Sequence, residues 1–109
     1  MEISEFSMDF FSLAGRKAIV TGGNTGLGQA FSLALAKAGA DVFVPGVMDD
    51  DGKTGALIEA TGRRYEYLKI DITAPGAAAT VIDTCVERFG AVDILVNSAG
   101  ICPMAEVLD

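Results

Sequence analysis

The stretch Thr21-Gly22-Gly23-Asn24-Thr25-Gly26-Leu27-Gly28 sets spaced glycines directly behind the apolar run Lys17–Thr21. Where a strand gives way to a helix, unpaired backbone N–H groups and the helix dipole favour an anion, a phosphate above all. In such a turn Gly22 permits the tight bend and Gly26 lets a diphosphate approach the backbone. Gly28 lets the helix pack closely on the strand. A Cβ at any of the three would obstruct that geometry. The chemistry on offer is the holding of a phosphorylated ligand. A turn that is merely rich in glycine is the plainer alternative, but the strand before it and the helical period after it favour the phosphate.

The elements that must position this turn follow from the pattern around it. Lys17–Thr21 reads as a strand buried on both faces. From Gly26 to Ala38 the period becomes helical, with Leu27, Ala30, Phe31, Ala34, Leu35 and Ala38 as the expected buried stripe and Gln29, Ser32 and Lys37 opposite it. Asp41–Val44 is a second strand closed by Pro45-Gly46. A weaker helix is expected over Asp49–Gly62, interrupted by Gly52 and Gly55, and Tyr65–Ile70 is a third strand. Thr73 offers a cap and Pro75 a first-turn residue for a helix to Phe89, with Val81, Ile82, Cys85, Val86 and Phe89 buried and Gly90 as its stop. Val92–Val96 is a fourth strand, running into Asn97-Ser98-Ala99-Gly100. The order βαβαβαβ demands an α/β fold: a parallel sheet with helical crossovers, a Rossmann-like three-layer sandwich forming half of a doubly wound fold.

Composition narrows the function further. A chain of 109 residues is about one domain, and its hydrophobic content of 50% suits layered packing. A net charge of -7 argues against nucleic acid, whose binders rely on clustered Lys and Arg, and against an anionic membrane surface. The absence of His and the presence of only Cys85 and Cys102 leave little for a transition-metal site, so no metal is expected and both thiols read as free in a reducing compartment. The acidic start MEISEFSMDFFSLAG is not a secretory signal, no stretch is long and apolar enough to span a membrane, and a cytoplasmic location is expected.

The glycine spacing is Thr-Gly-x-x-x-Gly-x-Gly, which resembles the short-chain dehydrogenase/reductase family. Asp71 after the third strand, Asn97-Ser98-Ala99-Gly100 after the fourth, and the lead Phe11-Ser12-Leu13-Ala14-Gly15-Arg16-Lys17 are similar to that family's pattern in the same order. Ser98 departs from the family's usual second Asn. The strings TGLGQ, TGRRYEYLKID and ERFGAVDILVN resemble its sugar-acid branch. The resemblance implies a nicotinamide dinucleotide held by Gly22, Asn24, Thr25, Gly26, Leu27, Gly28, Asp71, Ile72, Asn97, Ala99 and Gly100. It implies an oxidoreductase that moves hydride between that cofactor and an alcohol or ketone, and a homo-oligomer as the working form.

The ribose end is less typical. Dinucleotide folds place an acid near the end of the second strand for the 2′-hydroxyl, or an Arg for a 2′-phosphate. Gly46 or a neighbour occupies that position here, and Asp49, Asp50 and Asp51 follow it, either reaching the ribose or capping a helix. Without a cation nearby, a 2′-phosphate would face acids alone, which favours NAD over NADP. The family's catalytic Ser and Tyr-x-x-x-Lys have no counterpart in these residues. Tyr65 and Lys69 have the spacing but share a strand face before Asp71, so they are rejected as an active site and no catalytic residue is assigned. The expectation is the N-terminal cofactor-binding part of one Rossmann-fold domain, inactive by itself. A catalytically silent nucleotide-binding or self-associating module is the alternative.

Overall fold

The computed structural model describes residues 12–98. Strands β1 (Lys17–Thr21), β2 (Asp41–Gly46), β3 (Tyr65–Lys69) and β4 (Ile94–Asn97) alternate with helices α1 (Gly26–Lys37), α2 (Lys53–Glu59) and α3 (Ala77–Phe89). All strand pairs are parallel and the sheet order is β3-β2-β1-β4. The chain therefore winds outward from β1 through β2 to β3, then crosses back to place β4 on β1's other side.

Period-two alternation divides the core between the two faces of the sheet. On one face Ile19 and Phe43 pack with Val81, Cys85 and Phe89 of α3. On the other, Val20, Val42 and Val44 pack with Ala36 of α1 and Ile58 of α2. This is the expected three-layer arrangement, and the rings of Phe43 and Phe89 meet edge to face at 5.9 Å.

The helices depart from expectation in three places. The buried face of α1 is Gly28, Ser32 and Ala36, while Leu27 is 53% exposed and Ala30 and Ala34 are also exposed. The buried line thus lies one residue on from the expected stripe, a rotation of about 100°, although Phe31 and Leu35 of that stripe still pack partly buried against the core. Small residues line the buried side of α1, and Ser32 satisfies its buried hydroxyl by donating to the Gly23 carbonyl at 2.8 Å. Helix α2 is shorter than expected and begins after Gly52, whose φ of 81° is left-handed. Gly55, which weakened it on propensity, faces the Tyr65 ring, and a Cβ there would lie 2.9 Å from it. Helix α3 begins after Gly76 rather than at Thr73, because Asp71 accepts from both the N–H and the hydroxyl of Thr73 and forms a separate turn. On α3, Ile82 and Val86 are each 45% exposed instead of buried.

Strand ends shift more modestly. β2 runs on through Pro45 to Gly46, in register with Leu68 and Lys69. β4 starts at Ile94 rather than Val92, and Asp93 uses its carboxylate to accept from the Lys17 N–H at 2.8 Å.

Candidate functional site

Because all four strands run the same way, Thr21, Gly46, Lys69 and Asn97 end at one edge of the sheet. The crevice in a doubly wound sheet opens where the winding reverses, here between β1 and β4. The glycine turn lies there. Gly22, at φ 63°, donates its N–H to the Pro45 carbonyl at 3.0 Å, and the Gly23 N–H returns to the Val20 carbonyl at 3.1 Å. Thr25 is the N-cap of α1 but makes no side-chain cap bond; its hydroxyl donates instead to the Gly22 carbonyl at 3.4 Å. Among the described residues, the first-turn N–H groups of α1 thus have no capping side-chain acceptor.

Gly26 and Gly28 differ physically. Gly26 has a left-handed φ of 49°, and the space where a Cβ would stand is open for 4 Å. A Cβ on Gly28 would overlap the Gly22 carbonyl and stand 2.7 Å from the Ser98 hydroxyl. Gly28 is therefore required by the fold, and Gly26 leaves room for something outside it.

Asn97 and Ser98 join the turn through Thr21. The Thr21 hydroxyl donates to Asn97 Oδ1 at 3.0 Å, and the Ser98 hydroxyl donates to the Thr21 carbonyl. Ser98, which departs from the expected Asn, thus bridges β4 to both β1 and the start of α1, a role that its position after a strand does not reveal. Ala99 and Gly100 lie outside the described residues. Asp71 and Ile72 stand beyond the end of β3, with β2 between them and the glycine turn. Asp71 is fully exposed, and the Thr73 hydroxyl and then the Thr73 N–H hold its carboxyl below the ordinary value. Leu27 faces solvent at the start of α1.

The residues after β2 form a second layer around the turn. The side-chain amide of Asn24 donates to Asp50 at 3.2 Å, and the Thr54 hydroxyl donates to the Asn24 carbonyl at 3.3 Å. Gln29 in turn donates to Thr54 at 2.9 Å. Thr54 is fully buried, so a short helix with poor propensity is locked to the glycine turn. Composition gave no sign of this link. The Tyr65 hydroxyl donates to Asp50 at 3.1 Å, while Tyr67 donates to the Met48 carbonyl and Lys69 pairs with Asp49 at 2.8 Å. Burial, then the Asp50 charge, raises the Tyr65 phenol well above its ordinary value. Tyr65 is a structural donor, unsuited to removing a proton. Among the described residues no group of acids and thiols is arranged to hold a metal, and no helix is long and apolar enough to cross a membrane.

A parallel sheet with a glycine turn at its winding reversal defines the Rossmann-like class of α/β proteins. Within that class the chain belongs to the short-chain dehydrogenase family, whose profile matches residues 16–109. It is 57% identical over 107 residues to the uncharacterized oxidoreductase YgcW of Escherichia coli, covering 98% of this chain and 41% of that protein. It is 38% identical over 99 residues to the 2-dehydro-3-deoxy-D-gluconate 5-dehydrogenase of Escherichia coli, covering 91% and 39%. A hydroxysteroid dehydrogenase crystal structure from the same organism superposes with a TM-score of 0.75 at 32% identity, covering 82% of this chain and 38% of that one. The chain thus spans well under half the length of these relatives.

Proposed function

We propose that residues 1–109 are the cofactor-binding part of a nicotinamide-dependent short-chain dehydrogenase, with NAD held along the glycine turn and Asn97. The observation that carries this reading is the contrast within the turn. Gly28 is sealed against Gly22 and Ser98, while Gly26 leaves open space beside an uncapped helix start. Oxidoreductase membership is the family's, and the family match does not favour the silent-module alternative. When bound, the nicotinamide supplies the hydride acceptor or donor; this chain's residues bind and orient the dinucleotide. Gly26, Leu27 and Gly28 present first-turn N–H groups to the diphosphate, Asp71 and Ile72 flank the adenine side, and Asn97 floors the crevice.

For the whole protein we infer an alcohol or ketone substrate of the sugar-acid class. Support comes from the similarity to a relative named for a deoxygluconate, and the working form is a homo-oligomer in the cytoplasm, where the free thiol of Cys85 stays reduced. The engagement of Tyr65 and Tyr67 with Asp50 and Met48 supports the reading that these 109 residues bind without turning over. Calorimetric titration with NADH tests the reading: saturable binding and no ketone-dependent NADH oxidation are expected. Failure to bind either NADH or NADPH would overturn it.

A further inference from the structure

The tip of the second strand is where dinucleotide folds read the adenosine ribose, with an acid for a free 2′-hydroxyl and a cation for a 2′-phosphate. In this protein that tip is Gly46, and any side chain on it would have to displace Tyr67. A Cβ there would stand 2.6 Å from the Tyr67 hydroxyl and 3.1 Å from its ring. Tyr67 is fixed in that space by its donation to the Met48 carbonyl. The usual acid position is thus filled from the neighbouring strand.

Geometry then separates the aspartates that follow. Asp49 is spent on Lys69, and Asp51 turns back to accept from the Lys53 N–H at 2.9 Å. Asp50 reaches the glycine turn itself. Its Oδ1 accepts from Asn24 and its Oδ2 from Tyr65, and Asn24 is fixed from its other side by Thr54. Both donors to Asp50 are neutral, so no bonded cation offsets its charge toward a ligand lying on the turn.

Resting on the dinucleotide reading above, we propose that Asp50 takes over the displaced β2 acid and selects a dinucleotide with a free 2′-hydroxyl. A hydroxyl can donate to this carboxylate. A 2′-phosphate would meet a fixed like charge at Asp50, and Lys69, the cation on that side, is shared with Asp49 in an exposed pair. Tyr67 and Asp50 therefore act together: one closes the ordinary position, and the other supplies the charge from the following loop.

The experiment measures NADH and NADPH dissociation constants by calorimetry for the parent chain, Asp50→Asn, Asp51→Asn and Tyr65→Phe, with circular dichroism to verify folding. The parent binds NADH more tightly. Asp50→Asn narrows the NADH preference about tenfold, chiefly by tightening NADPH. Asp51→Asn removes the same charge one residue later and leaves the preference within about twofold. Tyr65→Phe keeps the charge but releases one anchor, narrowing the preference by a smaller factor. A folded Asp50→Asn with unchanged preference, an equal effect from Asp51→Asn, or a parent that prefers NADPH overturns the proposal. If Asp50→Asn does not fold, an unchanged preference in Tyr65→Phe overturns it. Binding of neither dinucleotide by the parent is a separate result, which sinks the cofactor reading and takes this inference with it.

Discussion

A methyl group at residue 28 would have to enter space held by the Gly22 carbonyl, whereas one at residue 26 would meet nothing within 4 Å. The same substitution at two glycines of one motif should therefore fail in different ways. Gly28→Ala forces the start of α1 away from the Gly22 carbonyl and Ser98 and costs about 1–3 kcal/mol of stability, as overpacking does elsewhere. Gly26→Ala pays only for its left-handed backbone, about 1 kcal/mol, but puts a methyl where the diphosphate would lie. Urea melts should thus show the larger loss for Gly28→Ala. Dinucleotide titration should show binding lost in Gly26→Ala while the fold persists. Equal stability losses with unaltered binding would contradict the division of roles. The motif is legible from its spacing alone, because its steric demands are local to one turn. Ser98, Thr54 and Tyr65 are not legible in that way, since each acts on the turn from a residue 30 or more positions distant or from another strand.

Element order is readable from hydrophobic period and glycine punctuation, but the facing of the helices is not. Phe31 and Leu35 of the stripe that hydropathy would bury do pack against the core, but the residues buried on α1 are Gly28, Ser32 and Ala36, one position on. Hydrophobic period reports which residues avoid water; the closeness of two elements decides which of them fit. At the opposite edge of the sheet the elements are tied by charge. Asp41, the first residue of β2, accepts from the Lys17 ammonium of β1 at 2.6 Å and from the Arg64 N–H just before β3 at 2.9 Å. Burial is the largest single influence on Asp41 and would raise its pKa. The Arg64 N–H bond together with the bond and charge of Lys17 outweighs it, and the carboxyl sits below its ordinary value of 3.8. A group lowered on folding stabilises fully above its unfolded value and loses that contribution as pH falls through the folded one. Asp41→Asn should therefore cost about 2–3 kcal/mol at pH 7. The gap between variant and parent should close as the solution is taken well below pH 3.8. Urea midpoints across that range would show it; a gap independent of pH would remove the charge from the account.

At the scale of the whole molecule, what the fold leaves uncovered matters most. Among the described residues β4 is an outer strand, with Leu95 64% exposed on the sheet face that carries Ile19 and α3. Ile82 and Val86 of α3 are half-exposed as well. An apolar outer strand offers a row of unpaired backbone groups to any other chain. The net charge of -7 opposes contact between copies, but salt screens it, with a range of about 8 Å at physiological ionic strength. These two effects predict a definite pattern. The 109-residue chain should self-associate with rising concentration, and more strongly as salt is added, because repulsion weakens while strand pairing and apolar burial do not. Leu95→Lys places a charge on the strand's apolar side and should shift the population toward monomer, while leaving the described core intact because Leu95 contributes little to it. Sedimentation velocity across concentration and salt distinguishes the cases. A monodisperse monomer under all conditions would refute the outer-strand argument. Association that weakens with salt would show instead that charged groups hold the copies together.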